Sequence, residues 1–92
     1  MTTTARGETD SGRARAAAEA QSALIGESVL RALGRPAGLR AVQVRALWEG
    51  HYRVNVLVGA DAASALVAHS YFLEADGDGR VLTSTPGITR QY

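Results

Sequence analysis

Residues 42–59 read Val42-Gln43-Val44-Arg45-Ala46-Leu47-Trp48-Glu49-Gly50-His51-Tyr52-Arg53-Val54-Asn55-Val56-Leu57-Val58-Gly59. Apolar and polar residues alternate on either side of Glu49-Gly50. Alternation at period two sends successive side chains to opposite faces of a pleated strand, so the stretch reads as a β-hairpin. A two-residue Glu49-Gly50 loop sets Trp48 opposite His51 and Val44 opposite Asn55, mixing apolar with polar on both faces. A three-residue loop, Glu49-Gly50-His51, sets Trp48 opposite Tyr52, Ala46 opposite Val54, Val44 opposite Val56 and Val42 opposite Val58. One face is then wholly apolar, and the other displays Gln43, Arg45, Arg53 and Asn55 together with Leu47 and Leu57. Because a slip of one residue turns every side chain to the wrong face, the longer loop is expected. Gly50 or His51 supplies its left-handed bulge residue. The Trp48–Tyr52 pair on the apolar face contributes up to ~1 kcal/mol.

Upstream of the hairpin lies a run rich in strong helix formers, from Arg13 to Leu33. Asp10 or Ser11 is the expected N-cap. Ile25, Val29 and Leu33, flanked by Leu30 and continued by Ser22 and Ala18, make one apolar stripe. Glu27 and Arg31 are spaced for an i,i+4 pair on the outer surface. Gly34 as a left-handed cap, followed by Pro36, ends the helix. Gly26 sits inside it, at a cost of ~1 kcal/mol relative to Ala, so a close approach to the sheet is one expectation there.

Downstream, a third strand is expected over about 65–75 and a short fourth over about 80–85. The turn signal Asp76-Gly77-Asp78-Gly79 joins them, and Pro86-Gly87 closes the fourth. The third strand is apolar on both faces, with Val67, Tyr71 and Leu73 on one and Leu66, Ala68 and Phe72 on the other. That pattern suits a strand covered twice. Residues 1–11 read as a disordered tail, 12–86 as a single domain and 87–92 as a C-terminal tail. The expected fold is therefore α+β, with one N-terminal helix laid across a four-stranded antiparallel meander. This layering is similar to that of the cystatin-like class, as an analogy of architecture alone.

A chain of 92 residues supplies one small core. It contains no cysteine, hence no disulfide framework and no thiolate metal site. Association with another copy is the remaining common route to more buried area. All the basic residues are Arg and Ala is abundant, the composition expected of a high-GC bacterial genome. Net charge is +1; residues 1–40 hold six Arg against four acids, and residues 41–92 hold four against five. Neither part has the basic footprint of a nucleic-acid binder, and Arg6, Arg13 and Arg15 are interleaved with Glu8, Asp10 and Glu19. No apolar run has the length of a membrane span or of a signal-peptide core, which points to a cytoplasmic protein.

The polar hairpin face is the best candidate site: Gln43, Arg45, His51, Arg53 and Asn55, with Leu47 and Leu57 among them. Arg45 is expected opposite Asn55 with Arg53 beside them, an arrangement able to hold a carboxylate. Two leucines on a solvated face imply that something covers it. Glu74 to Thr85 resembles the front of a calcium-binding loop through Asp76, Asp78 and Gly79, but Glu74 stands at the first position and Thr85 at the twelfth. A hairpin turn is the better reading. His51 and His69 have no third ligand at useful spacing, and nothing assembles a nucleophile, a base and an orienting group. The expectation is a small non-catalytic interaction module without cofactor or metal, homodimeric through its sheet face or bound to another subunit. A cystatin-like or NTF2-like pocket for a small molecule is the alternative, and weak nucleic-acid binding the third.

Overall fold

The computed structural model describes the backbone of residues 2–92 and the side chains of residues 15–92. One helix, α1 (Thr2–Leu33), precedes four strands: β1 (Leu39–Ala46), β2 (His51–Val58), β3 (Leu66–Ala75) and β4 (Val81–Thr85). The strands form one antiparallel sheet in the order β1-β2-β3-β4. The chain is thus an N-terminal helix packed on an antiparallel meander, an α+β fold. Among the described residues, no helix is long and apolar enough to cross a membrane.

The helix starts at Thr2, not at a cap on Asp10 or Ser11. The segment before Asp10 holds a single Gly and no Pro, so no residue in it forbids helix. The side chains of residues 1–11, the expected tail, and those of Arg6 and Arg13 in the basic cluster lie outside the described residues. Arg15 to Ala20 are exposed, and burial begins in earnest at Ile25. Ile25, Val29 and Leu33 are fully buried and Leu30 nearly so, which is the apolar stripe read from the spacing; Ala18 lies outside it. Glu27 pairs with Arg35 beyond the helix end at 3.5 Å, not with Arg31. Both partners are exposed, so the pair adds little.

Facing the helix, Val54, Val56 and Leu73 are fully buried, with Tyr52, Tyr71 and Ala75 beside them. Burying a side chain of this size contributes about 1.5–3 kcal/mol, so these few contacts hold the two layers together. Two helix side chains also clamp the β3–β4 turn: Gln21 Nε2 donates to Asp76 O at 2.9 Å and Ser28 Oγ to Gly79 O at 2.8 Å. Gly79 is buried at φ 78°, and a Cβ there would collide with Leu24. Gly26 lies over Val42 and Val44, where a Cβ would sit 3.5 Å from the Val42 side chain, an ordinary contact. The approach is close without demanding glycine.

The hairpin differs from its expected register by two residues. Ala46 pairs with Tyr52, Val44 with Val54 and Val42 with Val56. The loop is three residues long but consists of Trp48-Glu49-Gly50, closed by Leu47 N donating to His51 O at 2.9 Å. A three-residue hairpin loop ends on a left-handed residue, and Gly50 at φ 74° takes that place. The expected loop would have put His51 there or displaced Gly50 from its end. Since the slip is even, each residue keeps its face, but Trp48 leaves the strand and the Trp48–Tyr52 pair does not form.

A bulge between Val56 and Leu57 leaves Ala68 unpaired, so Leu57 lies opposite Val67 and Val58 opposite Leu66. Val67 therefore joins the side of Phe72, and Leu66 that of Tyr71, the reverse of the simple alternation. Leu66 is 70% and Val67 55% exposed, so within one copy β3 is not covered on both faces. The C-terminal segment runs back to the helix. Gln91 N and Tyr92 N both donate to Leu33 O, at 2.8 and 3.2 Å, and Ile88 packs against the core.

Candidate functional site

All seven residues singled out on the hairpin, Gln43, Arg45, Leu47, His51, Arg53, Asn55 and Leu57, stand on the sheet face turned away from α1. Their arrangement follows from the registers of all four strands. Arg45, Arg53, Phe72 and Thr85 form one row across the sheet. His51, Glu74 and Thr83 form the row on the turn side, next to Leu47. Gln43, Asn55 and Ser70 form the row on the other side, and Ala41, Leu57 and Val67 the row beyond.

Two details depart from the sequence reading. Arg45 lies opposite Arg53, and Gln43 opposite Asn55; like charges directly opposite are unfavourable. Among the described residues, neither guanidinium has an ion-pair partner. Trp48 is the second departure. Displaced into the loop, it is 60% exposed and lies over the outer face. Its ring stacks on His51 with centroids 4.8 Å apart and tilts against Phe72 at 5.5 Å, while His51 and Phe72 stand 5.8 Å apart.

Arg53 completes the cluster, its Cζ 5.9 Å from the Phe72 centroid, within reach of a cation–π contact. His51 Nδ1 is 2.8 Å from Glu49 O, which ties the imidazole to the turn. Behind the aromatic group, Ser70 Oγ donates to Asn55 Oδ1 at 2.6 Å, and Arg53 Nη1 reaches Ser70 Oγ at 3.5 Å. The face is thus a rigid platform: three stacked rings and a cation at one end, a hydrogen-bonded polar row in the middle, and Leu57 with Val67 at the other end.

The other sequence candidates are structural where they are described. Asp76 Oδ1 accepts from the backbone N–H groups of Asp78 and Arg80, both at 2.9 Å, and Gly79 N donates to Asp76 O. The carboxylate is thus used within a hairpin turn. Among the described residues no three His, Cys, Asp or Glu side chains converge as metal ligands. His69 lies apart from His51, with Nε2 2.7 Å from Tyr92 OH and its ring parallel to Tyr71. Burial, together with Tyr92, pushes the Tyr71 hydroxyl above its ordinary value. Asp61 is held below the usual carboxylate range by the Ser64 N–H and hydroxyl, which orders the β2–β3 loop.

The centre of the helix–sheet interface holds the core side chains Ile25, Val29, Leu33, Val54, Val56 and Leu73. Two grooves run between the helix and the sheet margins: one of about 290 Å³ at β1, lined by Ser22, Gly26, Leu30, Val42 and Val44, and one of about 320 Å³ at β4, lined by Ser28, Ala32, Leu82 and Ile88. A third, of about 430 Å³, opens beside His69 and Tyr71 under Pro86 and Gln91.

Sequence reasoning missed Trp48 and Phe72 as members of the outer face. The signal for Trp48 was present in the preference for Gly at the last position of a three-residue loop. No protein family, curated protein or solved structure matches the chain.

Proposed function

We propose that the protein is a small non-catalytic docking module whose outer sheet face is the contact surface. The observation that carries this reading is the character of the uncovered face. Leu47 and Val67 are half exposed, Trp48 more so, and Leu57 and Phe72 are only partly covered, all on one rigid sheet. Single surface apolar groups are ordinary, whereas here two apolar groups, Trp48 with Leu47 and Phe72 and Leu57 with Val67, flank a polar row on one face, the mixture that marks a contact site. Trp and Arg, the residue types that dominate binding energy at interfaces, are both present. The unpaired Arg45–Arg53 neighbours carry an electrostatic cost in the isolated chain that a partner's carboxylate or aromatic ring would relieve.

Hydroxyl-radical footprinting tests this reading. The oxidation of Trp48, Leu57 and Phe72 is compared between dilute purified protein and the same protein in extract of its own cells. Protection of these three in extract, with Leu24 and Leu82 elsewhere on the surface oxidised equally in both, is the expected result. Equal oxidation of all five residues overturns the reading.

A further inference from the structure

We infer that the occupant of the outer face is a second copy of this chain, docked about a two-fold axis that runs along the strands between β2 and β3; this rests on the docking-module reading. Such an axis lays β2 of one copy over β3 of the other and leaves each row of the face in line with itself. Every outward-facing cross-strand pair of β2 and β3 then recurs across the interface. His51 meets Glu74 of the second copy, Arg53 meets its Phe72, Asn55 its Ser70 and Leu57 its Val67. Each match is complementary: an imidazole with a carboxylate, a guanidinium with a ring face, an amide with a hydroxyl, and two aliphatic side chains.

The charges choose this axis over the other one the flat face permits. An axis across the strands reverses the row order. It sets Leu57 against His51 and Val67 against Glu74, aliphatic side chains against the charged end. With the axis along the strands, aliphatic meets aliphatic, and Glu74 of the second copy lies over His51, one row from Arg53. A twofold interface must be self-complementary in this way, and sheets packed face to face keep their strands within about 30° of one another.

The size fits as well. Four strands spaced about 4.8 Å and eight residues rising about 3.3 Å each give a flat footprint of roughly 500 Å². The corrugated accessible surface is larger than its flat projection, which brings it toward the ~800 Å² per partner of a standard interface. Covering both faces also removes the exposure of Val67 and Leu57 that a single copy leaves.

The absence of cysteine makes the register measurable by cross-linking. Arg45→Cys and Thr85→Cys variants are prepared separately, checked for folding by circular dichroism, and treated with a bismaleimide of about 10 Å reach, the spacing of packed sheets. The proposed axis places position 45 of one copy over position 85 of the other, whereas the two positions 45 lie three strands apart as well as one layer apart. Sedimentation equilibrium is expected to give twice the chain mass, and covalent dimer is expected from the mixture of the two variants but from neither alone. A dimer in which the mixture does not cross-link, or each variant cross-links alone, overturns the register. A monomer at submillimolar concentration overturns self-docking, and the footprinting experiment then decides separately whether another partner uses the face. A monomer that retards a single-stranded oligonucleotide, with the shift lost in Arg53→Ala, overturns it in favour of a nucleic-acid occupant.

Discussion

The two faces of this sheet are built from the same strands and differ in what covers them. Toward the helix, Val54, Val56 and Leu73 are fully buried, and among the described residues no charged side chain is buried with them. Away from it, the residues between them, Arg53, Asn55 and Phe72, join Trp48, Leu57 and Val67 in a mixture that is neither a core nor an ordinary solvated surface. A face needed only for solubility would carry scattered charges. This one carries rings, leucines and a hydrogen-bonded amide, and sets two arginines opposite one another. The covered face accounts for why the chain folds, and the uncovered face for what the folded chain is able to hold.

The largest expected effect lies on the covered face. Leu73→Ala leaves a cavity between sheet and helix and should cost about 3 kcal/mol in denaturant unfolding, in the usual range for buried leucine truncation. Leu57→Ala, one strand away on the outer face, should change the stability of the single copy by less than ~0.5 kcal/mol while weakening association. Equal costs for the two would erase the distinction between the faces. Gly79→Ala tests the clamp that fixes β4: a left-handed backbone and the collision with Leu24 should destabilise by more than ~1 kcal/mol. Gly26→Ala has the opposite sign. Its Cβ fits against Val42, so the gain in helix propensity should raise stability by about 0.5–1 kcal/mol.

The smallest effect is on pH dependence. The Tyr71 hydroxyl is raised in the folded chain, so the unfolded chain loses its proton first as pH climbs through the ordinary tyrosine value of about 10. The contribution is complete below that value and is lost as pH rises toward the folded one. Urea midpoints across this alkaline range should therefore fall, and fall less steeply for Tyr71→Phe.

The layers of this fold were legible because they follow from periodicity. Two alternating runs, a helical stripe ending at Gly34-Arg35-Pro36 and a turn signal at Asp76–Gly79 suffice for a helix on a four-stranded meander. That the seven hairpin residues share one face was legible for the same reason, since parity along β1 and β2 survives an even slip. What failed was the register itself. Hydrophobic matching is equally satisfied by Trp48 opposite Tyr52 and by Ala46 opposite Tyr52, and only the left-handed requirement at Gly50 separates them. The bulge at Ala68 and the return of Tyr92 to His69 and Leu33 depend on tertiary contacts that no local pattern encodes.

Trp48 is the only tryptophan in the chain and lies on the uncovered face, so its accessibility reports directly on whether a second copy sits there. Acrylamide quenching of its fluorescence, measured for the native chain and for Leu57→Asp over a dilution series, is the most direct test. The account predicts that Trp48 is shielded in the native chain at high concentration and accessible in Leu57→Asp throughout. Equal, unhindered quenching of both at every concentration would contradict it.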